Sequence, residues 1–247
     1  MSALGHFVGV GVGPGPAGLI PVAALAALQD ADRIYLPRAR GSETSVARQC
    51  LAGLPIPEAK FCEIEFQMDP DRGVLSAHYG ELADAVAAEL HQGRNVAYLT
   101  IGDSMTYSTY GYLLAALRDK VPGLRHTTFP GVTSFAAAAS ALSWPLGEGK
   151  ERILILPCSD DMAALRADIE SHDIVVLMKI GARLPAVLQL LNALGIAGHC
   201  AFARRIGLPG EVLCPDVSQL VSQLDASVSG YLATMLIRRT AREKRHA

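Results

Sequence analysis

The sequence predicts an α/β protein with two sheet-containing lobes and a cleft between them. Short apolar segments alternate with longer segments of helical spacing along the chain. Gly-containing turns follow three of the apolar segments, as expected where strands end and helices begin. The 247 residues, half of them hydrophobic, are enough to bury a large core. We expect an amino-terminal α/β domain over residues 1–120 and a carboxy-terminal α/β domain over residues 121–247.

The individual elements follow from apolar periodicity and from the residues that end each run. An apolar strand begins at residue 7, and an Ala- and Leu-rich helix follows at 21–29. The β-α-β spacing to the next strand favours parallel pairing. Further helices are predicted at residues 74–92, 107–119, 134 to about 142, 160–170 and 184–193. The further predicted strands are 33–37, 61–66, 95–101, 125–129, 152–157, 174–179, 199–205 and 229–238.

Composition and charge exclude several classes of protein. A net charge of −2 and a pI near 6.4 leave no basic footprint for nucleic acid. No apolar run approaches the ~20 residues that span a bilayer, so we expect no membrane partner. Five widely spaced cysteines without a C-x-x-C pair indicate reduced thiols and a cytoplasmic location. Seven scattered histidines without an H-x-x-x-H pair predict no protein-bound metal.

The first of the three turns has the most unusual composition. Residues 7–18 run from the apolar strand into a loop that alternates Gly and Pro, FVGVGVGPGPAG. Gly reaches backbone angles that other residues avoid and Pro fixes φ, so main-chain amides can approach a ligand closely. Residues 13–18 also match the G-x-G-x-x-G dinucleotide fingerprint, but the acid expected at the end of the second strand is absent. Arg38 keeps an NADP-binding interpretation open, since a basic residue there can meet a 2′-phosphate.

Two further loops place polar residues at strand ends. Residues 100–109 put Gly102 and Asp103 where a strand meets a helix, and residues 130–135 carry two hydroxyls at a helix start. Asp103 and Thr133 could each be a helix N-cap, which is the commoner role of such residues. Ligands of open α/β sheets bind beyond the carboxyl ends of the strands. The three loops together therefore predict a ligand site beyond these strand ends.

These motifs resemble those of the tetrapyrrole (corrin and porphyrin) methyltransferases over nearly the whole chain. The resemblance rests on residues 11–15 (GVGPG), on the Gly-Asp and Tyr-Ser-Thr of 102–109, and on 130–135 (PGVTSF). Residues 106–110 (TYSTY) and 142–146 (LSWPL) resemble the branch that methylates precorrin-2 at C-20 in cobalamin biosynthesis. The resemblance implies two α/β domains of the tetrapyrrole methylase type, with S-adenosylmethionine in the cleft between them. It also implies a tetrapyrrole substrate and a homodimer.

The resemblance further implies cofactor contacts on all three loops and in the second half of the chain. The matching residues are Pro14, Ile101, Gly102, Asp103, Thr106, Thr133, Ser134 and Met178. Pro16 and Ser104 depart from the family pattern, which has an aspartate and a proline at these positions. Leu36 replaces an aspartate that follows the second-strand tyrosine in uroporphyrinogen-methylating relatives. This last departure argues against uroporphyrinogen as substrate and leaves the catalytic group unassigned.

The identity of the proton acceptor, the substrate anchors and the substrate itself stays open on the sequence alone. Tyr107, Tyr110 or a bound water could accept the C-20 proton. Arginines and lysines are expected to pair with the substrate carboxylates, and the candidates are Arg38, Arg40, Lys179, Arg183, Arg204 and Arg205. Metal-free and cobalt-loaded precorrin-2 fit the sequence equally, and another precorrin is an alternative substrate. A nucleotide sensor and an NADP-dependent oxidoreductase are the alternative functions.

Overall fold

The pairing of the strand Arg125–Phe129 determines where the boundary between the two compact units of the chain lies. This strand pairs in parallel with the first strand, from His6↔Arg125 to Val10↔Phe129, and so completes the amino-terminal sheet. The computed structural model, which describes residues 3–39, 44–66, 72–222 and 229–241, accordingly divides into the compact units Met1–Thr133 and Ser134–Ala247. This division lies later in the chain than the predicted boundary between residues 120 and 121.

The amino-terminal unit is built on a five-stranded sheet. Its elements are β1 His6–Gly11, α1 Val22–Asp30, β2 Arg33–Ala39, α2 Val46–Gln49, β3 Phe61–Phe66, α3 Arg72–His91, β4 Val96–Thr100, α4 Tyr110–Lys120 and β5 Arg125–Phe129. The strand order is β3-β2-β4-β1-β5, and every pairing is parallel. The parallel direction predicted for the first two strands is confirmed, although β4 lies between them.

The register of β1 brings three strand ends to one edge of this sheet. Gly11 pairs with Thr100 at the end of β4, and Val10 pairs with Phe129 at the end of β5. Every residue of β4 and all but the first of β1 are buried, as expected for parallel strands covered on both faces. The loops that follow β1, β4 and β5 therefore begin side by side.

The carboxy-terminal unit has a mixed sheet. Its elements are α5 Ser134–Ala141, β6 Ile153–Pro157, α6 Met162–Ser171, β7 Ile174–Met178, α7 Leu184–Ala193, β8 Ala201–Arg204, β9 Val212–Cys214, α8 Val217–Ser222 and β10 Ala233–Arg238. The strand order is β6-β7-β10-β8-β9. β6 and β7 are parallel, whereas β10 runs antiparallel to β7 and β8, and β9 antiparallel to β8.

Two details of this unit differ from the sequence-based expectation. The sequence pattern does not predict β9 or α8, because both are too short to show a periodicity: β9 has three residues and α8 has six. The last strand begins at Ala233 rather than at 229, since Leu232 has a φ of +54° and Gly230 instead forms an isolated bridge with Gly181. Within the described ranges, no helix is long and apolar enough to cross a membrane.

Candidate cofactor site

The first and second loops of the amino-terminal unit are joined through their backbones. The Val12 N–H donates to the Thr100 carbonyl at 2.9 Å, which extends the pairing of β1 with β4 by one residue. Gly13 and Gly102 then exchange two hydrogen bonds, of 3.1 and 2.7 Å, in an isolated antiparallel bridge. Gly13 has a φ of +81° and Gly102 a φ of +69°, angles that glycine adopts without strain. The first and second loops thus contact each other through their backbones at this sheet edge.

Three glycines meet at these strand ends, Gly11 at the end of β1, Gly102 in the second loop and Gly131 in the third, and Gly11 and Gly131 have no room for a Cβ. A Cβ on Gly11 would lie 2.7 Å from both the Gly102 oxygen and the Gly131 nitrogen. A Cβ on Gly131 would lie 2.7 Å from the Gly11 carbonyl and closer still to the Gly102 oxygen. We call Gly11, Gly102 and Gly131 the glycine junction. Gly131 belongs to the PGVTSF motif of residues 130–135, but its role follows from this three-way packing.

Asp103 connects the second loop to the third. Its Oδ1 accepts hydrogen bonds from the Met105 N–H, the Thr106 N–H and the Thr106 hydroxyl, each at 2.9 Å. Its Oδ2 accepts from the Gly131 N–H at 3.0 Å. Partial burial raises the pKa of Asp103, but these hydrogen bonds outweigh it, so the pKa lies below the usual value. Because α4 begins only at Tyr110, Asp103 is not a helix N-cap but the organiser of the loop.

Ser104 adds a second connection between the same loops. Its side chain is fully buried, and its hydroxyl donates to the Phe129 carbonyl, the last of β5, at 2.9 Å. The serine that replaces the usual proline therefore supplies a hydrogen bond that proline lacks.

At the end of β4, the Thr100 hydroxyl is buried, and among the described residues it has no hydrogen-bond partner. Buried polar atoms of this kind are normally satisfied by water or ligand.

The two candidate tyrosines of the second loop have different environments. Tyr110 is fully buried and stacks between Phe7 and Tyr98, with ring centroids 5.9 and 6.5 Å away. Its hydroxyl bonds the Thr128 hydroxyl at 2.6 Å, and burial raises its pKa. This burial argues against Tyr110 among the three candidate acceptors of the C-20 proton, since its ring belongs to the core. Tyr107 is 45% exposed and has a φ of +51°.

The remaining cofactor candidates lie at the unit boundary and at a strand end of the second unit. Thr133 closes the amino-terminal unit and Ser134 begins α5. The Ser134 hydroxyl accepts a hydrogen bond from the Thr234 hydroxyl at 2.9 Å. Met178 ends β7, and its carbonyl accepts from the Cys158 N–H at 2.8 Å. Pro14 and Ile101 flank the Gly13–Gly102 bridge in the first and second loops.

Most of the cationic candidates already bond to other groups of the chain. Arg38 pairs with Glu63 at 3.3 Å and with Glu65 at 3.4 Å, so the basic group on which NADP binding depended is largely neutralised. In the second unit, Arg183 pairs with Asp160 at 2.6 Å. Arg204 and Arg205 donate to the carbonyls of Gly210 and Pro209 at 3.3 and 2.6 Å, respectively. Lys179 is exposed, and Arg40 lies outside the described residues.

The sequence matches known methyltransferases over most of its length. It is 30% identical to the cobalt-precorrin-2 C(20)-methyltransferase of Salmonella typhimurium, over 84% of this chain and 86% of that protein. Identity is also 30% to the precorrin-2 C(20)-methyltransferase of a Sinorhizobium species, over 82% and 84%. The probable cobalt-precorrin-2 C(20)-methyltransferase of Methanocaldococcus jannaschii is 32% identical over 69% of this chain and 70% of its own.

Solved structures show the same fold at lower identity. A cobalt precorrin-4 methyltransferase aligns with a TM-score of 0.73 and 18% identity over 94% of both chains. The uroporphyrin-III C-methyltransferase of Thermus thermophilus, in complex with S-adenosylhomocysteine, aligns with a TM-score of 0.65 and 20% identity over 95% of this chain and 92% of its own. The family model of the tetrapyrrole (corrin/porphyrin) methylases matches residues 6–219. The chain therefore belongs to the tetrapyrrole methylases, a family of S-adenosylmethionine-dependent methyltransferases.

Proposed function

We propose that this protein transfers one methyl group from S-adenosylmethionine to C-20 of precorrin-2, in its metal-free or cobalt-loaded form, during cobalamin biosynthesis. The observation that carries this proposal is the 30% identity to two relatives named for this reaction, over more than four-fifths of each chain. One relative is named for the cobalt form and the other for precorrin-2 itself, at the same identity. Both forms are therefore candidate substrates.

The glycine junction and the loops around it suit a cofactor that is bound through main-chain atoms. A Cβ built on Gly102 meets only the Val132 oxygen, at 3.9 Å. One side of this residue therefore leaves the main chain open to a ligand, while its carbonyl side is packed against the other loops. The residues proposed to hold S-adenosylmethionine are Pro14, Ile101, Gly102, Asp103, Thr106, Thr133, Ser134 and Met178. Asp103 contributes by shaping the loop, because its oxygens already accept four hydrogen bonds.

The chemistry places few demands on the chain beyond orientation and exclusion of water. S-adenosylmethionine supplies a methyl group that its sulfonium charge activates for in-line displacement. Holding two reactants in the reacting geometry is worth about 7–11 kcal/mol. The rigid connections among the three loops supply such a fixed frame on the amino-terminal side. With Tyr110 in the core, Tyr107 or a water molecule is left to accept the proton of C-20.

Cationic side chains are needed to pair with the carboxylates of the substrate, and four of the candidate side chains belong to the second unit. We propose Lys179, Arg183, Arg204 and Arg205 for this role. Arg183 would exchange its exposed partner Asp160 for a substrate carboxylate, and such an exchange costs little because exposed ion pairs are weak in water.

We also propose that the enzyme is a cytoplasmic homodimer. All five cysteines are free thiols, which suits a reducing compartment. Light scattering coupled to size-exclusion chromatography measures the mass in solution. A mass near twice 26.1 kDa supports the dimer, and a monomer mass at enzymatically active concentrations contradicts it.

Mass spectrometry of anaerobic incubations tests the reaction. The enzyme and S-adenosylmethionine are mixed with metal-free precorrin-2 in one tube and with cobalt-precorrin-2 in another. The proposal predicts one added methyl group in at least one tube and formation of S-adenosylhomocysteine in equal amount. If the protein binds S-adenosylhomocysteine but methylates neither compound, the substrate is another precorrin.

A further inference from the structure

The last strand of the second unit presents two different faces. Side chains alternate along a strand, and Ala233, Met235 and Ile237 belong to the apolar cluster formed with α6, α7 and α8. The alternate positions are Thr234, Leu236 and Arg238. These belong to the other face of β10, and α5 packs against this strand. The face next to α5 thus carries a hydroxyl and a guanidinium, both buried.

Thr234 contacts the first residue of α5. It is 2% exposed, and its hydroxyl donates to the Ser134 hydroxyl at 2.9 Å. A hydroxyl has one proton to donate and can accept as well. Because Ser134 accepts from Thr234, its own proton remains to be donated elsewhere. The bond therefore holds the hydroxyl of a residue proposed to contact the cofactor in position and leaves its proton for another acceptor.

Arg238 contacts the segment that follows the carboxy-terminal end of α5. Its side chain is 7% exposed and pairs with Glu151. It also donates to the Pro145 carbonyl at 3.3 Å and lies 5.2 Å from the ring centroid of Trp144. The Trp144 N–H in turn donates to the Ala139 carbonyl of α5 at 2.8 Å. Burying a charged side chain is costly unless it is paired, and here its partners all belong to the segment that leaves α5.

We propose that Thr234 is a positioning residue for cofactor binding, which acts by holding the Ser134 hydroxyl at the start of α5, while Arg238 holds the far end of the helix. The proposal rests on the proposed role of Ser134 in binding S-adenosylmethionine. It adds a residue one hundred positions away in sequence, on a strand with no motif, that touches no ligand itself. Thr234 would affect the affinity for the cofactor rather than the chemical step.

Isothermal titration calorimetry with S-adenosylhomocysteine tests this role on the full chain. The variants are Thr234→Val, which keeps the shape and removes the donor, Thr234→Ser, which keeps the donor, and Thr240→Val, an exposed control for the same change. Loss of one hydrogen bond predicts a Kd about three- to ten-fold higher for Thr234→Val. Thr234→Ser should restore the affinity, and Thr240→Val should match the wild type. The KM for S-adenosylmethionine should rise more than kcat falls.

A double-mutant cycle separates positioning from general stability. In a Ser134→Ala background, Thr234→Val should cause no further loss of affinity, because the group that it positions is absent. The inference is overturned if Thr234→Val lowers only the melting temperature and leaves the Kd unchanged, or if it weakens binding equally in both backgrounds. These ratios are measured by binding alone, so they hold even if precorrin-2 is not the substrate. A wild-type protein that fails to bind S-adenosylhomocysteine would refute the cofactor assignment itself.

Discussion

Replacing Gly131 with alanine should damage the glycine junction while leaving the rest of the fold intact. The new Cβ would lie 2.7 Å from the Gly11 carbonyl, and closer to the Gly102 oxygen, whereas Cβ atoms essentially never approach another atom within 3.0 Å. The atoms that it meets are main chain, so they cannot rotate away as a side chain would. Overpacking of this kind costs typically 1–3 kcal/mol, and we expect about 3 kcal/mol here.

The same substitution should also weaken cofactor binding. Relief of the clash moves the third loop away from the second and stretches the bond from the Gly131 N–H to Asp103, now 3.0 Å. A charge-assisted hydrogen bond is worth about 1.5–3 kcal/mol, so its loss alone predicts at least a ten-fold rise in the Kd for S-adenosylhomocysteine. Calorimetry measures the Kd, and urea unfolding measures the free energy of unfolding.

Gly111→Ala is the matched control for this experiment. Gly111 lies on the exposed side of α4, and a Cβ there meets nothing within 4 Å. This variant should be about 0.5–1 kcal/mol more stable than the wild type, because alanine favours a helix over glycine, and it should bind S-adenosylhomocysteine normally. A Gly131→Ala protein that binds as tightly as Gly111→Ala would refute the role of the junction.

The other predictions concern single hydrogen bonds and ion pairs. Asp103→Asn should raise the Kd for S-adenosylhomocysteine at least ten-fold, because an amide offers one acceptor oxygen in place of two and so loses the bond to Gly131 or those to the second loop. The pKa of Asp103 in the folded protein lies below the usual 3.8, so its carboxylate stabilises the fold above that pH, and this contribution is lost as the pH falls. The free energy of unfolding, measured by urea titration, should therefore fall more for the wild type than for Asp103→Asn as the pH is lowered. Tyr110→Phe should lower the free energy of unfolding by about 1–2 kcal/mol, as it leaves the Thr128 hydroxyl unpaired, with kcat unchanged in methylation assays. Arg238→Met should cost about 1.5–3 kcal/mol in thermal unfolding, because Glu151 loses its buried cationic partner; an unchanged melting temperature would contradict this.

Local pattern accounts for most elements of the fold. Apolar periodicity and glycine turns placed β1, β4 and β5 and the helices after them, because each signal lies within about ten residues of chain. The direction of β10 carried no such signal, since its apolar run fits a parallel or an antiparallel partner equally. The boundary between the two units had no local signal either, because β5 belongs to the first unit through its pairing with β1, more than a hundred residues away in sequence.

The candidate site was predictable in its motifs but not in its connections. Asp103 was recognised from the sequence, yet its bond to Gly131 crosses from one loop to another and depends on the strand register. Tyr110 is one of three open candidates on the sequence alone, because a tyrosine next to a polar loop gives no indication of which way its ring points. Here the missing side chain of Gly9 leaves space for the ring. Thr234 had no local signal, since its partner Ser134 belongs to a distant helix.

The central claim is methylation at C-20, and carbon NMR of the product tests it most directly. The enzyme is incubated anaerobically with S-adenosylmethionine labelled with ¹³C in the methyl group and with precorrin-2, metal-free or cobalt-loaded. The account predicts one labelled methyl signal, with couplings that place it on C-20 of the macrocycle. A labelled methyl on any other carbon, or no labelled product from either form, would contradict it.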